Sequence, residues 1–138
     1  MIRALILFSL LLCLCLGGPA HAQSPAANGF DMDALANVQT EAIDFIVIHY
    51  KTDPGATLAG AVPFLKLMGI VCGGWQMARA AQVAQRKLRA GEGDAAFYQA
   101  KIVTAKFFAS HFLTQAPTLR NIIVDGGADV MALAEEAF

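Results

Sequence analysis

The side chains in this chain that could carry chemistry do not stand in the patterns that chemistry needs. Beyond residue 22 the histidines are His49 and His111, each without a second ligand at metal spacing. No HxxxH, HExxH or CxxC occurs, so a metal site has no local support. Both read as surface or satisfied core histidines. Cys72 is the one thiol outside the first 22 residues, and its apolar neighbours predict a buried, inert group. Ser110 precedes His111, but consecutive helical residues do not face one another, so no nucleophile–base pair is expected. Glu41, Asp44, Glu92, Asp94, Glu135 and Glu136 fall at expected caps, ends or polar faces. General acid–base work needs a carboxyl tuned by burial or by a partner. Asp125-Gly126-Gly127 lacks the spacing of a phosphate loop, and Arg86-Lys87-Leu88-Arg89 reads as the solubilising charge of a helix end. A haem held by Met68 or Met77 with His111 is the remaining option, without a CxxCH for attachment. The residues therefore predict no catalytic group, no cofactor and no metal.

The elements that would position these residues begin with a leader. Residues 1–22 follow the secretory pattern: Arg3, an apolar run from Ala4 to Leu16, a Gly17-Gly18-Pro19 break, then Ala20-His21-Ala22. The run is shorter than the ~20 residues that span a bilayer, so cleavage between Ala22 and Gln23 is expected, with no membrane attachment afterwards. That predicts a periplasmic or secreted protein. Cys13 and Cys15 would leave with the leader, so no internal disulfide is expected. Residues 23–30 are expected to be disordered, and 31–138 to form one helical domain.

The net charge of −1 is too mild to imply a nucleic-acid partner. Its distribution is uneven. Lys66, Arg79, Arg86, Lys87, Arg89, Lys101 and Lys106 meet only Glu92 and Asp94, whereas both flanking segments are acidic. In an antiparallel bundle these stretches are expected to face one another.

Helical periodicity runs throughout, and no alternating strand-like run of useful length occurs. The first helix starts after an Asp31 cap and ends before Asp53-Pro54-Gly55, followed by a short loop. The second runs from about Leu58 to Ala90. Its first half is apolar on nearly every side, which predicts neighbours all round. Ala90-Gly91-Glu92-Gly93-Asp94 is a tight elbow to a third, antiparallel helix. Ala95, Tyr98, Ile102, Ala105, Ala109, Phe112 and Ala116 make its seam, widened by Val103, Phe107 and Phe108, and Pro117 stops or bends it. A fourth segment carries Leu119, Ile122/Ile123, Val130 and Leu133, with a break at Gly126-Gly127. The fold is expected to be all-α, an antiparallel bundle of three to four helices.

One stretch, MGIVCGGWQMARAA over 68–81, puts glycines and the sole tryptophan inside a helix. Each glycine costs about 1 kcal/mol there against alanine, a cost tolerable where a second helix approaches the backbone. Gly69, Gly73 and Gly74 are read as that groove, with Trp75, Phe108 and Phe112 as apolar bulk beside it. A slot for a partner or ligand lined by the same residues is the second reading.

VPFLKLMGIVCGGWQMARAA, followed by GEGDAAFYQAKIVTAKFFASHFLTQAPTL, resembles the C-terminal helical domain of a subgroup of acyl-CoA dehydrogenases. The domain is the one termed acetyl-CoA dehydrogenase-like C-terminal, carried by methylthiopropanoyl-CoA dehydrogenases. The likeness covers most of 35–137 and is most specific over 62–117. In that family the flavin site, the acyl-CoA pocket and the catalytic glutamate lie in preceding domains, so the resemblance carries no site residue onto this chain. It implies a bundle built to pack against a larger body, and a cytoplasmic location, which disagrees with the leader. Three functions follow as expectations: a non-catalytic exported module that packs on a partner or itself, an accessory chain or fragment of a FAD-dependent acyl-CoA dehydrogenase, or a small acyl- or haem-binding bundle.

Overall fold

The computed structural model describes residues 31–138 except 131, 134 and 138. The expected signal (1–22) and leader (23–30) lie outside the described residues.

Helix α1 (Met32–His49) starts where the sequence placed it, with Asp31 Oδ1 accepting the Ala34 N–H at 2.9 Å. That contact satisfies a donor the first turn leaves free. Leu35 and Ala42 carry its buried side. The segment after His49 departs from expectation. Asp53 caps a second short helix, α2 (Pro54–Ala59), with its carboxylate accepting the Ala56 N–H at 3.0 Å. Proline is favourable in a first turn, where no N–H is needed, so Pro54 opens a helix in place of the expected loop. Gly60 separates α2 from α3 (Ala61–Ala90), which starts a few residues later than expected; Pro63 falls in its first turn.

The elbow is built as its residues dictate. Gly91 is left-handed (φ 65°), its N–H donating to the Leu88 carbonyl while the Glu92 N–H donates to the Lys87 carbonyl. Asp94 then caps α4 (Ala95–His111) through the Ala96 and Phe97 N–H groups. The helix returns antiparallel along α3, so that Phe108 comes to Gly73 and Tyr98 flanks Ala84.

The far end of α4 corrects the sequence reading. The helix stops at His111, a 3-10 turn spans Leu113–Gln115, and α5 (Ala116–Asp125) follows with Pro117 in its first turn. Pro117 therefore opens a helix and ends none, and Ala116 belongs to α5. After Gly126 come α6 (Gly127–Val130) and a 3-10 turn (Glu135–Ala137).

Among the described residues there is no strand, and the architecture is an all-α bundle of four main helices, α1, α3, α4 and α5, with two short ones. Leu67 and Ile123 are wholly buried at its centre, surrounded by Ile70, Val71, Ala105, Ala109, Leu113 and Leu119. Ile102, Ala105 and Ala109 form the buried part of the α4 seam. Val103 and Phe107, expected to widen it, are 58% and 51% exposed, because α4 packs mainly along α3 and the turn that follows it, which leaves its outer flank open among the described residues.

Candidate functional site

Each histidine closes a helix and serves that helix. His49 and His111 are the last residues of α1 and α4, and each stacks on the phenylalanine four residues earlier, at 4.4 Å from Phe45 and 4.0 Å from Phe107. Each Nδ1 also lies within hydrogen-bond distance of the carbonyl of that same phenylalanine, 2.9 and 3.0 Å. A carbonyl only accepts, so the bond requires the proton on Nδ1.

Ser110 does reach its neighbour, against expectation: Oγ stands 2.9 Å from His111 Nδ1. It also lies 3.1 Å from the Lys106 carbonyl and 3.2 Å from that of Phe107, which take its proton. With Nδ1–H already donating to Phe107, the ring offers Ser110 no lone pair. The contact is not a nucleophile and its base. Met68 turns toward α1, where its sulfur lies 3.0 Å from Gln39 Nε2, while Met77 packs on the core and His111 stays exposed at the end of α4. Nor do three or more His, Cys, Asp or Glu residues converge anywhere among the described residues.

The glycine stretch divides in two. A Cβ at Gly74 would lie 2.6 Å from Leu113 Cδ2, and one at Gly73 would lie 2.9 Å from Phe108 Cζ, so the chain after α3 closes directly on the helix backbone there. Gly69 faces nothing within 4 Å and is exposed; no helix crosses at that point. Cys72, expected to be buried, is half-buried on the same open side. Trp75 is half-buried, with the Arg79 guanidinium 4.7 Å over its ring. Phe108 stacks on Phe112 at 5.0 Å, and Phe112 is 40% exposed.

The larger departure lies just before this stretch. The first half of α3 was expected to be covered on all sides, yet Val62 and Leu65 are 76% and 73% exposed, with Leu58 of α2 beside them. Val62, Leu65, Gly69 and Cys72 recur at three- and four-residue steps, one stripe along α3. By length and composition α3 is long and apolar enough to cross a membrane, and only 22% of that apolar stretch is buried in the molecule. The spacing was present in the sequence; only the absence of a covering helix was not.

The second half of α3 differs. Between it and α4 runs an open groove of about 460 Å3, floored by Ala80, Val83, Ala84 and Phe97 and rimmed by Arg79 and Lys101. Lys101 lies 5.0 Å over the Phe97 ring. The expected facing of basic and acidic stretches does not produce ion pairs between them. Among the described residues Lys87 pairs with Glu92 inside the basic stretch, while Glu41 and Asp125 pair with Arg120 within the acidic flanks. Side-chain hydrogen bonding and the opposite charge hold Glu92 below and Lys87 above their ordinary values.

Comparison with known proteins adds to this geometry. A family model described as acetyl-CoA dehydrogenase C-terminal like matches residues 26–134. A 3-methylmercaptopropionyl-CoA dehydrogenase from Ruegeria pomeroyi is 38% identical over 89 residues, which cover 64% of this chain and 15% of that protein. A broad-specificity linear acyl-CoA dehydrogenase from Mycobacterium tuberculosis is 41% identical over 81 residues, covering 57% of this chain and 13% of that protein. The chain thus spans about a seventh of the length of these curated relatives.

Proposed function

The chain belongs to the acetyl-CoA dehydrogenase C-terminal-like family, and from that premise we propose that it is a non-catalytic, exported helical module that acts by docking on a partner protein. One observation carries the reading: Val62 and Leu65 on α3, and Leu58 on the short helix before it, stand exposed. Burying each such side chain is worth roughly 1.5–3 kcal/mol, a contact surface for a second protein. Among the described residues, the arrangement of His49, His111, Ser110 and the carboxylates brings together no nucleophile with a base and no metal-ligating cluster.

A second reading makes the partner a flavin-dependent acyl-CoA dehydrogenase, with this chain as its accessory. What favours it is that both curated relatives are acyl-CoA dehydrogenases of which the matched part is a small fraction. On either reading the purified chain binds no flavin and oxidises no acyl-CoA by itself. A preparation with flavin absorbance that reduces an electron acceptor in the presence of an acyl-CoA overturns that. A photo-crosslinker at position 62 ties the chain to one defined partner, and Leu65→Glu abolishes the adduct; an adduct unchanged by Leu65→Glu refutes the docking side. Export is tested by the mature N-terminus: Gln23 in a periplasmic extract supports it, and an intact Met1 in the cytosol refutes it.

A further inference from the structure

We infer that the groove between α3 and α4 is filled by helix α1 of a second copy of this chain. The groove can receive a helix: it is open and lined by Ala80, Val83, Ala84 and Phe97, by Gln76 and Tyr98, and by two cations, Arg79 and Lys101. That charge is of one sign. Arg79 and Lys101 rest on the faces of Trp75 and Phe97, no carboxylate lines the groove, and neither cation has an ion pair among the described residues. Arg86 stands exposed on the same side of α3, two turns beyond Arg79.

The complementary surface is on the same molecule. Asp33, Asn37, Thr40, Asp44, Val47 and Ile48 recur at four- and three-residue steps along α1, and all are exposed. This face carries two carboxylates, Asp33 and Asp44, and is apolar at its end, where Val47 and Ile48 are 44% and 66% exposed. The groove offers what it lacks: Arg79 and Lys101 for Asp44, and, one turn on, Val83 with Phe97 for Val47 and Ile48. Among the described residues of one copy the basic and acidic stretches form no ion pairs with one another, which leaves both surfaces available. Two copies, each placing α1 in the other's groove, form a closed two-fold dimer. The proposal does not depend on the docking of Leu58, Val62 and Leu65, which lie on α2 and toward the other end of α3.

The test is a charge exchange read by sedimentation of the full chain. The wild type is expected to dimerise, with a dissociation constant that rises with salt. Asp44→Lys and Lys101→Glu should each weaken the dimer by about tenfold or more. The two together should restore most of that loss, because the exchanged charges meet again across the interface. The single tryptophan, beside Arg79, gives a second readout: its emission should change with concentration in the wild type and not in either single variant. Helical circular dichroism checks that each variant is folded. A chain monomeric at ~100 μM overturns the proposal. So does a dimer indifferent to both exchanges but lost in Leu65→Glu, which would place the interface on the apolar stripe. A double variant as weak as the single ones overturns it as well.

Discussion

Gly74 and Leu113 meet so closely that a methyl group on the glycine would lie 2.6 Å from Leu113 Cδ2 and 3.2 Å from Cδ1. Both residues are buried. The contact joins the middle of α3 to the turn between α4 and α5, and it fixes how near that turn can come to the core.

Alanine substitutions along this stretch should therefore split in sign. Gly74→Ala gains about 1 kcal/mol of helix propensity but overpacks a filled site, a loss of roughly 1–3 kcal/mol, so net destabilisation is expected. Gly69→Ala meets nothing within 4 Å and should keep its gain. Urea midpoints of the two variants, moving in opposite directions from the wild type, check this.

At the elbow, Gly91→Ala forces a side chain into a left-handed backbone (φ 65°), with an expected loss of about 1 kcal/mol or more. Asp94→Ala removes the acceptor of the Ala96 and Phe97 N–H groups and should lose a similar amount, about 1 kcal/mol. Thermal melts of each variant and of the pair measure both effects and their coupling.

The Lys87–Glu92 pair sets a pH window. Glu92 is held below its ordinary 4.5, so its contribution is complete above that value and disappears as pH falls through the lowered one. Lys87 is held above its ordinary 10.5, so its contribution is complete below that value and disappears as pH rises through the raised one. The small stability difference between wild type and Glu92→Gln should be constant between those limits and vanish beyond both. Because the pair is solvent-exposed, salt should shrink the difference throughout. Chemical denaturation across pH checks it.

Ile123 is wholly buried where α5 meets the core. Ile123→Val should cost about 1 kcal/mol and Ile123→Ala about 2–5 kcal/mol, the second leaving a cavity its neighbours only partly fill. Denaturant midpoints of the two variants give the comparison.

Much of the fold was legible because its signals are local. Asp31, Gly91 and Asp94 satisfy helix ends within a few residues of themselves, and those three boundaries stand where the sequence put them. The two prolines misled because one residue type both ends and begins helices. Asp53 before Pro54 was a readable sign that a helix starts there, whereas nothing comparable precedes Pro117. The twice-repeated Phe-x-x-x-His at a helix end was also readable, and it accounts for both histidines without chemistry. Exposure was not legible. Whether Val62, Leu65, Val103 and Phe107 are covered depends on the tertiary placing of helices, which apolar periodicity does not specify. The same holds for Gly69 against Gly73 and Gly74: identical residues within one turn or so, distinguished only by where the turn after α4 crosses.

Helix α1 finds its packing partner in α5, near the other end of the chain, and Glu41 and Arg120 are tied across 79 positions of sequence. The α3–α4 elbow, by contrast, closes on itself through a few residues. During synthesis α1 must therefore wait for its α5 contact until residues 116–125 have been made. The elbow can thus close before the α1–α5 contact exists, which orders the two steps of assembly.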